Sequence, residues 1–247
     1  MMSNLTAIKK NPVFWQMKRA ANHTGELYIY GEIAAYQWED SDTTAQSFKK
    51  ELDDLGDIKT LNVYINSPGG SVFQGQAIHT ILKRHKARVV VHIDGVAASI
   101  ASVVAMAGDK VSMPANAMMM IHNPWTIAMG NAQELRKQAE SLDKIRESII
   151  EAYLSKAGQS LSRDKLTELL DAETWLTAKE CYDYGLCNEI GQAQEIAASI
   201  DMETLGRYKN VPKELIKSAG VSAADRQRMI TEARENVDRV NRVLRSL

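Results

Sequence analysis

The chain has 247 residues, a formal net charge of -1 and 45% hydrophobic residues, of which few are aromatic; this is ordinary globular composition, with a core to be built from Ala, Ile, Leu, Val and Met. Near-neutral charge argues against a nucleic-acid partner, which favours a basic face, and no apolar run reaches the roughly 18 residues of a membrane span. The two cysteines, Cys181 and Cys187, have no His or Cys at metal spacing and read as reduced structural thiols of a cytoplasmic protein.

Residues 1–25 are polar and mixed, lack the apolar run of a secretory signal, and read as an N-terminal arm. "ELYIYGEIA" is a strand. "TTAQSFKKELDDLG" is an amphipathic helix closing at Gly56. "TLNVYI" and "ARVVVHIDG" are near-continuous apolar strands of the kind buried in parallel sheets, with the helix "QGQAIHTILKRH" between them. The second of these strands ends at Gly95, and "AASIASVVAMAG" follows as a helix apolar all round. "MMMIH" is a short strand. The alternation predicts an α/β fold with parallel strands. From Asn131 a long helix begins with Asn131 and Glu134 in capping-box positions, carries the stripe Leu135, Ala139, Leu142, Ile145, Ile149 and Tyr153, and ends near Gly158. Its length suggests projection toward a partner. Two shorter helices follow, "LSRDKLTELL" and "TAKECYDYG", the latter with Thr177 and Glu180 as a capping box. The domain runs over 26–195. Residues 196–247 read as a helical appendage in which Ile230, Ala233, Val237, Val240, Leu244 and Leu247 form a short heptad seam.

Four stretches carry candidate chemistry. "INSPGGSV" leaves a buried strand through two adjacent glycines, which serves either as a tight turn or as bare backbone brought close to a ligand. "DGVAASIAS" places Ser99 at the N-terminus of a buried helix. There Ser99 is either the helix cap or a nucleophile supported by free N–H groups; Ser102, one turn on, reads as a small packing residue. Of five histidines, His122 stands out because it closes "MMMI" at a strand-to-loop edge, where a base with a near-neutral pKa is commonly held. An exposed turn histidine is the plainer reading. "LLDAETWLT" offers two orienting acids, Asp171 and Glu173.

Taken together, "YINSPGGSV", "DGVAASIAS", "MMMIHNP" and "ETWLTAKECYDYGL" resemble, in order and approximate spacing, the Clp protease proteolytic subunit (ClpP) family of serine peptidases. The similarity runs from about Glu26 to Ile190, and the segment "NPVFWQMK" before "GELYIYGEI" looks most like the phage-encoded branch of ClpP-like head maturation proteases. The resemblance implies a ClpP/crotonase-like fold, with parallel sheets flanked by helices and a long handle helix. It implies Ser99 as nucleophile, His122 as general base, and the amides of Gly70 and Ile100 as oxyanion donors. The family's acid is usually Asp, two residues before the aromatic; here that position is Glu173, with Asp171 as the fallback. Where the family tends to carry a glycine-rich substrate-pairing strand, this chain has "NPWTIAMGN", so Trp125 and Ile127 are expected to shape side-chain preference.

The resemblance also implies polypeptide substrates, no metal or organic cofactor, and homo-oligomeric rings, heptameric and single or stacked. An ATP-driven unfoldase is one expected partner. Scaffold and capsid proteins inside a phage prohead, in the host cytoplasm, are the other. Two competing classes are an acyl-CoA enzyme of the crotonase fold and a non-catalytic assembly protein that retains the fold.

Overall fold

The computed structural model describes residues 14–34, 45–193 and 206–212. The predicted alternation is present. β1 (Trp15–Ala20) and β2 (Thr24–Tyr30) are followed by α1 (Ala45–Asp54), β3 (Thr60–Ser67), α2 (Val72–Lys83), β4 (Arg88–Ala98) and α3 (Ile100–Ala105). Next come β5 (Lys110–Pro114), β6 (Met118–Ile121), α4 (Ala132–Ala157), α5 (Arg163–Asp171), β7 (Thr174–Thr177), α6 (Ala178–Asp183) and β8 (Glu189–Gly191). The fold is α/β: a sheet in the order β1-β2-β3-β4-β5-β8 with β6 and β7 branching from β4, and helices packed against it. β2-β3-β4-β5-β8 and the β4–β6 pair are parallel, whereas β1–β2 and β6–β7 are antiparallel.

Inward residues of alternating strand positions, among them Leu27, Ile29, Val63, Ile65, Val91 and Ile93, are fully buried with Phe48 and Leu52 of α1 and Ile78 and Leu82 of α2. Removing such side chains from water is the main favourable term in folding. The opposite face of the same strands carries polar and aromatic groups: Tyr28 stacks on Tyr64, and Tyr64 on His92.

Two boundaries differ from the sequence reading. Part of the segment read as an arm forms β1; Phe14, just before it, is buried edge-on against Trp15, its first residue, which in turn packs against Phe48. β4 does not end at Gly95. It continues to Ala98 because a second partner is available: its first half pairs with β5, and Val96–Ala98 pair with β6. The sheet therefore forks at β4, and crevices outside strand ends at such switch points are where α/β folds bind ligands.

α4 has 26 residues and both halves of its capping box: the Asn131 side chain accepts from the amides of Gln133 and Glu134, and Glu134 accepts from the Asn131 amide. Ile149 and Tyr153 bury the C-terminal end of its apolar stripe, while residues 131–140 are exposed throughout. The helix is thus anchored at one end and projects at the other. The heptad seam at 230–247 lies outside the described residues.

Candidate active site

Three neighbouring strands put one candidate residue each at the same edge. Ser99 directly follows β4, His122 directly follows β6, and Glu173 directly precedes β7. Register aligns them. Ala98 pairs with Met120, and the Ser99 amide continues that ladder to the Met120 carbonyl at 2.9 Å. Across the antiparallel pair, Ile121 faces Thr174, so the next position on each strand is His122 and Glu173. β3 completes the edge, since Ser67 pairs with Ala97 and the chain then turns through Pro68, Gly69 and Gly70 beside Ser99.

The Ser99 hydroxyl lies 2.7 Å from His122 Nε2. With Nδ1 turned toward Glu173, the natural arrangement has the hydroxyl donating to Nε2 and the proton on Nδ1. Ser99 makes no side-chain capping bond to α3 and sits at φ 54°, so the helix-cap reading does not describe it. A non-glycine residue at positive φ is strained and favours functional positions. The imidazole is nearly enclosed: burial lowers the His122 pKa below its ordinary value, while the nearby Glu173 charge partly offsets this. His122 is therefore neutral, as a base must be, at neutral pH.

Glu173 Oε2 is 3.9 Å from His122 Nδ1, close enough for charge attraction and too far for a hydrogen bond. Asp171, the alternative acid, is turned elsewhere: its carboxylate accepts from Arg146 Nη2 and Asn123 Nδ2, both at 2.7 Å. The two glycines have different neighbours. A Cβ on Gly69 would come within 2.7 Å of Ser99 Cβ and the Ala98 carbonyl, and one on Gly70 within 2.2 Å of the Ile33 carbonyl. Both have positive φ, 94° and 139°. Gly69 N–H is taken by Ser67 Oγ and Ser71 N–H by the Ile33 carbonyl. Among the described residues neither the Gly70 nor the Ile100 amide has an acceptor.

A cavity of about 210 Å³ opens over these groups, lined among others by Gly70, Ser99, His122, Trp125 and Tyr208. Trp125 thus faces the cavity, whereas Ile127 is outside its lining and 85% exposed. Ser102 is not a mere packing residue. Its buried hydroxyl reaches the carbonyls of Ser99 and Met120 and lies 2.6 Å from the Tyr153 hydroxyl, tying the backbone of Ser99 to α4. Nothing in the spacing of "SIAS" announces this, because Tyr153 is remote in sequence.

The segment 206–212 also belongs to the site, and no sequence signal pointed to it. Tyr208 packs edge-on against His122 and Trp175 and donates to the Pro68 carbonyl. Its burial raises the phenol pKa to about 12, so it stays protonated. The amides of Lys209 and Asn210 both donate to Glu173 Oε1.

Comparison with known proteins bears on the family of the chain. The family model described as Clp protease matches residues 16–194. An ATP-dependent Clp protease proteolytic subunit of Bacteroides fragilis is 32% identical over 154 residues, covering 60% of this chain and 73% of that protein. Proteins of the same description from Chlorella vulgaris and Oltmannsiellopsis viridis are 33% and 36% identical over 135 residues, covering 53% of this chain and 66% and 68% of theirs. The match of the Clp protease family model over most of the chain, together with these relatives, shows that the chain belongs to the Clp protease family of serine peptidases.

Proposed function

We propose that the chain is an endopeptidase working through an acyl-enzyme formed on Ser99. His122 Nε2 takes the hydroxyl proton as Oγ bonds to the scissile carbonyl carbon. It then passes that proton to the amine as the C–N bond breaks. Water attacks the resulting ester with the same histidine as base, which releases the acid product and restores Ser99. Glu173 stabilises the imidazolium formed in each step. The amides of Gly70 and Ile100 receive the developing oxyanion, and each such donor is typically worth about 2.7–4 kcal/mol in the transition state. The observation that carries this reading is the 2.7 Å contact between Ser99 and His122 at aligned strand ends.

Assembly into rings is part of the proposal, with α4 projecting as a contact element. For the substrate, we favour scaffold and capsid proteins of a phage prohead, on the resemblance of "NPVFWQMK" and "GELYIYGEI" to the phage-encoded branch. The relatives are described as ATP-dependent, and that favours the second reading, an unfoldase-fed cytoplasmic peptidase. Trp125 is proposed to contact the substrate side chain nearest the cleaved bond, with Ile127 further along the peptide.

Intact mass after treatment with a fluorophosphonate tests the chemistry. A single adduct on the wild type that is absent from Ser99→Ala is expected. An adduct retained in the variant overturns the assignment.

A further inference from the structure

The segment 206–212 crosses the site far from the motifs in sequence and touches the acid of the triad at several points. Glu173 occupies a strained position, φ 50°, at the turn between α5 and β7. Its carboxylate has one oxygen toward His122 and the other held by the amides of Lys209 and Asn210, the latter at 3.1 Å. The Asn210 side chain adds a second grip, donating through Nδ2 to the carbonyls of Ala172 at 2.9 Å and Glu173 at 3.1 Å. Asn210 therefore holds Glu173 from both ends, side chain and backbone. Val211 packs with the cluster of Val96, Ala98, Met120 and Trp175, which seats the segment on the same strand ends.

We infer that Asn210 is a positioning residue for the triad, fixing Glu173 so that one carboxylate oxygen faces His122. The physical need is specific to this chain. Glu has one more rotatable bond than the Asp usual at this position, so its carboxylate needs restraint that a shorter acid does not. Two backbone amides on the outer oxygen supply a fixed direction, and charge-assisted bonds of this kind are stronger than neutral ones. The inference rests on the proposed triad roles, and its test separates the two.

The full chain is used throughout, as wild type, Asn210→Ala, Asn210→Asp, Glu173→Gln and the Asn210→Ala/Glu173→Gln double variant. Fluorophosphonate labelling of Ser99 is timed, and the His122 ring is titrated by NMR. Asn210→Ala should slow labelling about tenfold, the worth of one or two net hydrogen bonds. Asn210→Asp should slow it further, because an isosteric carboxylate is repelled by the two carbonyls; a space-filling role would tolerate it. The His122 pKa should fall in Asn210→Ala, as the oriented Glu173 charge is lost, and Asn210→Ala should add nothing to Glu173→Gln in either readout. The groups facing the imidazole are Ser99, Glu173 and the protonated Tyr208; Glu32 and Arg207 line the same cavity but are paired with each other, and Glu173 is the charge that acts on the His122 titration. Unchanged labelling and titration in Asn210→Ala, or effects that add to those of Glu173→Gln, overturn the positioning role. Faster labelling in Asn210→Ala also overturns it, and would mean that the segment withholds Glu173. A wild type that does not label overturns the nucleophile reading instead, while the NMR titration still decides the role of Asn210.

Discussion

Burial and charge pull His122 in opposite directions, and burial prevails. This fixes the sign of the pH dependence. The reacting form is the neutral imidazole, and its folded pKa lies below the ordinary value of about 6.5. The half-point of the acidic limb of Ser99 labelling should therefore lie below pH 6.5. Glu173→Gln removes the one influence that raises the pKa, so its acidic limb should move to still lower pH while the plateau rate drops. A labelling rate measured from pH 4.5 to 8 checks both; a limb above pH 6.5 in the wild type would show that the Glu173 charge outweighs burial. The choice between Glu173 and Asp171 could not be made from "LLDAETWLT" alone. The proposed choice of Glu173 rests on the β6–β7 register, which brings Glu173 beside His122, and on Arg146, which engages Asp171 from a separate helix. Ser102 is similar: its role depends on Tyr153, and no spacing rule connects them.

At the scale of elements, the features most legible in the sequence were those with local causes. α4 could be read because a capping box opens it and an apolar stripe runs along it, and α6 likewise carries both halves of its capping box. β5, β7 and β8 are not legible as strands in the sequence. They are three to five residues long, too short for a pattern to stand out: "KVSMP" of β5 does alternate, but over only five residues, and pairing with distant partners completes each strand. Gly95 looks like the end of β4 in the sequence, yet pairing with β6 carries the strand past it to Ser99. The capping box of α4 gives a local prediction. Asn131→Ala should cost about 1 kcal/mol of helix stability. Because residues 131–140 are exposed, that loss should show as faster amide hydrogen exchange in the first turns of α4. The global unfolding midpoint should move little; a large fall would mean that the helix start is packed against something.

At the scale of the molecule, the unusual feature is where apolar surface remains uncovered. Trp125, Ile127, Met129 and Leu135 are 59%, 85%, 95% and 44% exposed, and they fall on one short stretch that runs from the cavity into the first turn of α4. Scattered exposed apolar residues are ordinary, whereas a concentration beside a functional cleft marks a contact surface. In the proposed ring this stretch would meet another copy; in the proposed reaction its first part would meet the peptide. Charge separates the two uses. Ile127→Asp with Met129→Asp should weaken self-association at least tenfold, since covering each apolar side chain is worth roughly 1.5–3 kcal/mol. Light scattering across a dilution series should then show a lower mass than the wild type at equal concentration. Ser99 in the dissociated variant should still label wherever the subunit alone completes the site, because the strand ends that align Ser99, His122 and Glu173 all belong to one chain. An unchanged mass with impaired peptide cleavage would assign the stretch to substrate docking. Loss of both mass and labelling would mean that the triad needs the neighbouring copy to hold its geometry.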